Sequence, residues 1–247
     1  MKVVGIIPAR YQSSRFPGKP LAPINGKPMI WWVYNQVKKV ALFECVYVAT
    51  DSQLIYDTCR ENDIAVLMTS DQCRTGTDRL GEVAQSLDAD VYVNIQGDEP
   101  MIEPETVEAV ARYAMNHPEV KVVNTMTKLP EFEDVNCDTI VKVVAADNGD
   151  LIYLSRSPIP YPKKGQKIQY YRHLGLYGLS KDALMFYSNS ERSTNEKIED
   201  IEMLRFLENG YCIKIIEVPS ATIGVDRPED IEKVERVMKE RGINSGI

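Results

Sequence analysis

Lys2-Val3-Val4-Gly5-Ile6-Ile7-Pro8 is an almost unbroken apolar run near the start of the chain. A strand with no polar face belongs at the centre of a parallel sheet, covered by helices on both sides. Outward from it, residues 28–42 carry Met29, Trp32, Val33, Val37 and Val40 near helical spacing behind Pro28, a residue suited to a first helical turn. Residues 45–50 read as a second strand, 52–62 as a helix with cap signals at Asp51 and Ser52, and 65–68 as a short strand. A helix over 77–87 and an apolar strand over 90–95 complete the series. This βαβαβ alternation predicts an α/β fold with a mostly parallel sheet and helices on both faces.

The second half is less regular. Residues 120–128, 139–146 and 173–179 are β-rich, and 158–169 is a surface loop rich in Pro, Lys and Gly. Helices are expected over 180–189 and 195–208, the latter stopped by Asn209-Gly210, then a strand over 211–218 and a closing helix over 228–239. No repeat and no long linker divides the chain, so residues 1–247 read as one domain with a β-rich insertion over roughly 120–180.

Composition narrows the function classes. With 44% hydrophobic and 26% charged residues the chain supports an ordinary continuous core. Its longest apolar runs fall far short of the roughly 20 residues a membrane span needs. The N-terminus reads as a buried strand rather than a signal peptide, which points to the cytoplasm. A net charge of −7 argues against a nucleic-acid partner. Cys45, Cys59, Cys73, Cys137 and Cys212 are scattered without metal-ligand spacing, and His117 and His173 are the only histidines. Neither a zinc site nor a histidine-rich metal centre is expected.

In open parallel sheets ligands bind beyond the carboxyl ends of the strands. After the first strand comes Pro8-Ala9-Arg10-Tyr11-Gln12-Ser13-Ser14-Arg15-Phe16-Pro17-Gly18-Lys19-Pro20. Arg10, Arg15 and Lys19 gather in one loop of an acidic protein, while small Ser13 and Ser14 allow close backbone approach. Guanidinium forks and a lysine point charge suit a polyphosphate. Neither a G-x-G-x-x-G nor a G-x-x-x-x-G-K-[ST] loop is present. After the 90–95 strand, Gln96-Gly97-Asp98-Glu99-Pro100 turns Asp98 into the same crevice, where a carboxylate suits Mg²⁺ beside substrate phosphates. Gly224-Val225-Asp226-Arg227-Pro228-Glu229-Asp230 offers a second carboxylate at Asp226, which reads equally well as the cap of the helix opened by Pro228.

These segments carry a resemblance. The stretches Ile7–Leu21 and Ile24–Ile30, Arg74-Thr75-Gly76-Thr77-Asp78-Arg79, Gln96–Pro100, Ser155-Arg156, Arg172-His173-Leu174-Gly175-Leu176-Tyr177 and Gly224–Asp230 follow one another in an order that resembles the 3-deoxy-manno-octulosonate (KDO) cytidylyltransferases. The resemblance implies a Rossmann-like, GT-A-like nucleotidyltransferase domain whose β-rich insertion commonly forms a homodimer contact. It implies transfer of CMP from CTP to the anomeric hydroxyl of a 3-deoxy-2-keto sugar acid, for lipopolysaccharide or capsule synthesis, with Mg²⁺ as cofactor. Arg10, Arg15 and Lys19 would hold the phosphates, and Asp98 and Asp226 the metal. Pro8, Ala9, Arg74, Thr75, Gly76, Asp78 and Gln96 would surround the nucleotide. Gln96, Arg156, His173, Tyr177 and Glu202 would face the acidic sugar, although His173 taken alone reads as a core histidine. Near Glu202 the family pattern Glu-Gln-Leu-Arg is replaced by Glu202-Met203-Leu204-Arg205. A methionine cannot donate as an amide does, which keeps open a related acid such as an 8-amino-KDO, another keto-sugar acid or a small phospho-acid.

Overall fold

The computed structural model describes residues 1–13, 15–219 and 223–243. Ser14 of the loop after the first strand lies outside the described residues. The elements run β1 (Val3–Ala9), β2 (Pro23–Ile24), β3 (Lys27–Pro28), α1 (Met29–Val37), β4 (Cys45–Thr50), α2 (Gln53–Glu61), β5 (Val66–Met68), α3 (Gly76–Ser86), β6 (Val91–Asn94), α4 (Pro104–Asn116) and β7 (Val122–Lys128). The chain continues with β8 (Lys142–Ala145), β9 (Leu151–Ser155), β10 (Tyr171–Ser180), α5 (Lys181–Asn189), α6 (Thr194–Glu199), α7 (Met203–Glu208), β11 (Ile213–Glu217) and α8 (Asp230–Glu240).

The main sheet has the strand order β11-β7-β10-β6-β1-β4-β5. β1 pairs in parallel with β4 and β6, as β4 does with β5 and β11 with β7. β10 alone among these strands runs antiparallel, wedged between β6 and β7. Because side chains alternate along a strand, β1 feeds two cores at once. Val3, Ile7 and Ala9 pack with α1, α2 and α4, while Val4 and Ile6 pack with α3, α5 and α7. The two-sided burial expected of the 2–8 strand is met by β1, one residue further along at each end, and the α/β expectation with it.

Differences from the sequence reading have local causes. α4 fills a stretch that reading passes over, with Pro104 in its first turn and Thr106, Val107, Val110, Ala111 and Ala114 facing the core. Of residues 120–180, β7 and β10 are full members of the main sheet. Residues 129–170 branch from it, closed at the neck by Leu129 N–H donating to the Tyr170 carbonyl at 2.9 Å, and their hairpin β8–β9 stays joined to the sheet where Lys142 pairs with Arg172 of β10. The single helix expected over 195–208 is broken into α6 and α7 by Asp200, whose left-handed backbone (φ 52°) an aspartate tolerates better than most residues.

That break is held by charge. Glu196 and Arg205 are buried, and Arg205 grips both Glu196 oxygens at 2.8 and 2.6 Å. Its remaining donors reach the Tyr187 and Ser190 carbonyls, with the guanidinium 3.7 Å above the Tyr187 ring. Removing one partner of a buried pair leaves a desolvated charge. Arg205→Met is therefore expected to cost about 3 kcal/mol, read as a lower urea midpoint at unchanged slope.

Candidate active site

Loop, strand end and helix start converge on one polar cavity of about 400 Å³ beyond the carboxyl ends of β1 and β6. Of the residues expected at the site, Pro8, Ala9, Arg10, Arg15, Lys19, Arg74, Thr75, Gly76, Gln96, Asp98, Glu202 and Asp226 line it. Asp78, Arg156, His173 and Tyr177 do not. Cys73, Arg192, Glu196 and Asp200 line it as well, and none of these four was picked out from the sequence. Arg192 and Glu196 stand four apart, a spacing that marks a helical ion pair but says nothing of a cavity.

The phosphate loop closes where Gly18 N–H donates to the Tyr11 carbonyl at 2.7 Å, and Lys19 then points inward. Its ammonium donates to Asp98 Oδ2 at 2.6 Å and to the Val225 carbonyl at 2.8 Å, with Asp226 Oδ1 at 4.0 Å. Arg15 reaches Asp226 at 3.2 Å. The two carboxylates are brought together by the backbone itself, since Val225 N–H donates to the Asp98 carbonyl at 2.9 Å. Val225 is fully buried in a separate apolar cluster with Met29, Trp32, Met101, Val234 and Met238, which anchors Asp226 in place. Asp226 does not cap the closing helix, which starts at Asp230 with Glu229 at the cap position, and the Asp230 carboxylate accepts from the Asp226 and Arg227 amides at 2.9 Å each.

Gly97 is required by packing rather than by a left-handed turn: a Cβ there would stand 3.0 Å from the Pro8 carbonyl oxygen on β1. Asp78 is spent on local structure. It accepts from the Arg74 and Thr75 amides at 3.1 and 3.0 Å while Thr75 Oγ1 accepts from the Asp78 amide, a reciprocal cap that fixes the start of α3.

On the other side of the cavity, Gln96 donates to the Gly175 carbonyl at 2.9 Å, where β10 bulges between Leu174 and Tyr177. A Cβ on Gly175 would lie 2.7 Å from the Gln96 side chain, so only glycine leaves room. Tyr177 stacks on His173 with 5.6 Å between ring centroids. Arg156 donates to the carbonyls of Glu199, Asp138 and Asp200, pinning the turn that leads to Glu202. Glu202 accepts from Thr77, and burial raises its pKa. Met203, the departure from the family pattern, is fully buried in the core with Leu204 and Phe206 and does not line the cavity. The expectation that it alters sugar recognition is corrected: at the start of α7 the side chain after Glu202 faces the opposite way.

The donor set fits a divalent ion held with a nucleotide. Two carboxylates converge, and no group of three or more His, Cys, Asp or Glu gathers to hold a metal among the described residues. Magnesium bound through one or two carboxylates completes its shell with phosphates and water.

Comparison with known proteins decides the family. A family profile described as cytidylyltransferase matches residues 4–218. The chain belongs to the cytidylyltransferase family. Among cytidylyltransferases, it is 42% identical over 244 residues to the 3-deoxy-manno-octulosonate cytidylyltransferase of Fusobacterium nucleatum, covering 98% of this chain and 99% of that one. Identity is also 42% to the mitochondrial 3-deoxy-manno-octulosonate cytidylyltransferase of Arabidopsis thaliana, over 98% of this chain and 85% of the other. A solved CMP:2-keto-3-deoxy-manno-octonic acid synthetase in complex with CTP matches with a TM-score of 0.93 at 41% identity, covering 98% of this chain and 100% of that one. The Rossmann-like nucleotidyltransferase fold expected of this cytidylyltransferase is thus confirmed.

His173 gives the site a measurable signature. Burial, then the Arg156 charge, lowers its pKa to about 4. A histidine held neutral when folded but protonated near pH 6.5 when unfolded costs stability as pH falls between those values, and nothing above them. Thermal unfolding of the wild type is expected to lose stability from pH 6.5 towards 4. His173→Gln is expected to flatten that part of the profile, as scanning calorimetry across the window will read.

Proposed function

We propose that this cytidylyltransferase moves CMP from CTP to the anomeric hydroxyl of a 3-deoxy-2-keto sugar acid, KDO or a close relative, for lipopolysaccharide or capsule synthesis. The observation that carries the reading is the meeting of a cationic loop with two converging aspartates in one cavity. The near full-length likeness to a synthetase complexed with CTP, and to relatives named for KDO, supports the donor and the acceptor.

The sugar hydroxyl oxygen attacks the α-phosphorus as the bond from that phosphorus to the bridging oxygen breaks; pyrophosphate leaves and the hydroxyl proton passes to solvent water. Both reactants are anions, so most of the catalysis lies in positioning and in offsetting charge. Arg10, Arg15 and Lys19 bind the triphosphate. Pro8, Ala9, Arg74, Thr75 and Gly76 border the nucleoside, with Asp78 fixing their backbone rather than touching it. Asp98 and Asp226 hold Mg²⁺, which when bound polarises the α-phosphate and offsets the charge on the departing pyrophosphate.

Gln96 and Glu202 face the sugar, backed by Tyr177 and His173. Because His173 is neutral at physiological pH, it offers a hydrogen bond and not a charge. Arg156 stands behind this face, outside the cavity lining; three of its five N–H donors are committed to carbonyls, which leaves two for the sugar carboxylate. The reading extends to a homodimer built on residues 129–170, supported by Phe132, Tyr161 and Ile152, which are 88%, 86% and 55% exposed there. The five cysteines are free thiols, as suits a reducing cytoplasm.

Pyrophosphate release measured for each nucleoside triphosphate against KDO, 8-amino-KDO and a sialic acid tests the assignment. CTP with KDO is expected to give the highest rate, and silence in every pairing would sink it. Asp98→Asn and Asp226→Asn are each expected to lower kcat by at least about a hundredfold while thermal stability holds. Wild-type turnover in either would remove the aspartates from the mechanism.

A further inference from the structure

We propose that Lys19 is a removable plug in the metal site, one that keeps divalent ions out until a triphosphate arrives. The inference rests on the assignment of Asp98 and Asp226 as the metal carboxylates. Lys19 Nζ lies 2.6 Å from Asp98 Oδ2 and 4.0 Å from Asp226 Oδ1, so it stands between the two carboxylates. Magnesium sits at about 2.0–2.1 Å from its oxygen ligands. An ion that binds Asp98 Oδ2 and Asp226 Oδ1 therefore competes with the ammonium for the same oxygens.

The plug is built in. The Lys19 side chain is 14% exposed and gives a further hydrogen bond to the Val225 carbonyl at 2.8 Å, a group that has no role for a metal held by the aspartates. Arg15 meets Asp226 from the other side at 3.2 Å, so both carboxylates are already neutralised by cations of the loop that binds the triphosphate. Lysine suits the task because its charge is a point on a flexible four-carbon stem. Phosphate oxygens attract the same two side chains, and as these swing onto the nucleotide they uncover the carboxylates. The apparent affinity for metal in the free protein is lowered by the fraction of molecules whose carboxylates are uncovered. The cavity then takes its metal with the nucleotide or after it, never before. A free enzyme so plugged also resists loading by more strongly binding transition ions.

The test reads metal binding without nucleotide, sugar or turnover. Free Mn²⁺ is followed by electron paramagnetic resonance as it is titrated into the nucleotide-free wild type, Lys19→Met and Lys19→Gln. Both variants are expected to bind Mn²⁺ about tenfold more tightly than the wild type, and adding Asp98→Asn to Lys19→Met should abolish the gain. Equal affinity in wild type and variants overturns the plug, as does a gain that survives Asp98→Asn. A check without any folding risk uses wild-type protein with ¹³C-labelled lysine. The Lys19 ε-methylene resonance is expected to move when CTP is added without metal and to stay when Mg²⁺ is added without CTP. Movement with Mg²⁺ alone overturns the proposal. Pyrophosphate release is a separate measurement, so failure of the plug and failure of the transferase reading are told apart.

Discussion

One ammonium group ties together three segments far apart in the chain. Lys19 comes from the loop after β1, Asp98 from the loop after β6, and Val225 with Asp226 from the run before α8. Two carboxylates brought this close repel each other unless a cation stands between them, and the repulsion grows as water is excluded. The Lys19 charge answers that need in the free protein. Everything else at this end of the sheet serves the meeting: Gly97 lets β6 close on β1, and the apolar seat of Val225 brings Asp226 alongside.

The cavity is electrically two-sided. On the phosphate side, Arg10, Arg15 and Lys19 gather in a chain whose net charge is −7. On the other side charge is held down: His173 is kept neutral, burial favours the protonated form of Glu202, and Arg156 is largely engaged by carbonyls. Positive charge is thus concentrated at one end of the cavity, while at the other the ionisable groups are held neutral or tied to the backbone. Among the described residues, each of the loop cations but Arg10 has an acidic partner in the cavity, as does Arg192, which pairs with Glu196 and Asp200.

Much of this was legible in the sequence, and the limits were physical. The strand Val3–Ala9 and the alternation up to β6 showed because two-sided burial leaves no polar positions to confuse the pattern. Asp98 showed because it directly follows such a strand. Asp226 did not show from its own surroundings, since a helix cap and a metal ligand want the same residue type. Only the observed start of α8 at Asp230, four residues on, takes the cap role away from Asp226. The antiparallel β10 was invisible as such, because alternation along a strand carries no record of its neighbours. Nor could neighbouring residues reveal that Glu202 and Met203 face opposite ways, one lining the cavity and the other in the core.

The position of β10 has a consequence for how the molecule is made. β1, β4, β5 and β6 pair only with one another on their side of the sheet, and they are complete once residue 94 has been synthesised. β7 and β11 cannot join them directly, because β10 must first be laid between β6 and β7. Long-range pairing of this kind is slow, and domains assemble from the N-terminus as the chain emerges. The early half of the sheet thus holds Lys19 and Asp98 well before β10 and Asp226 exist. A nascent chain has the nucleotide loop without the rest of the cavity, and competence for chemistry arrives only with the final helix.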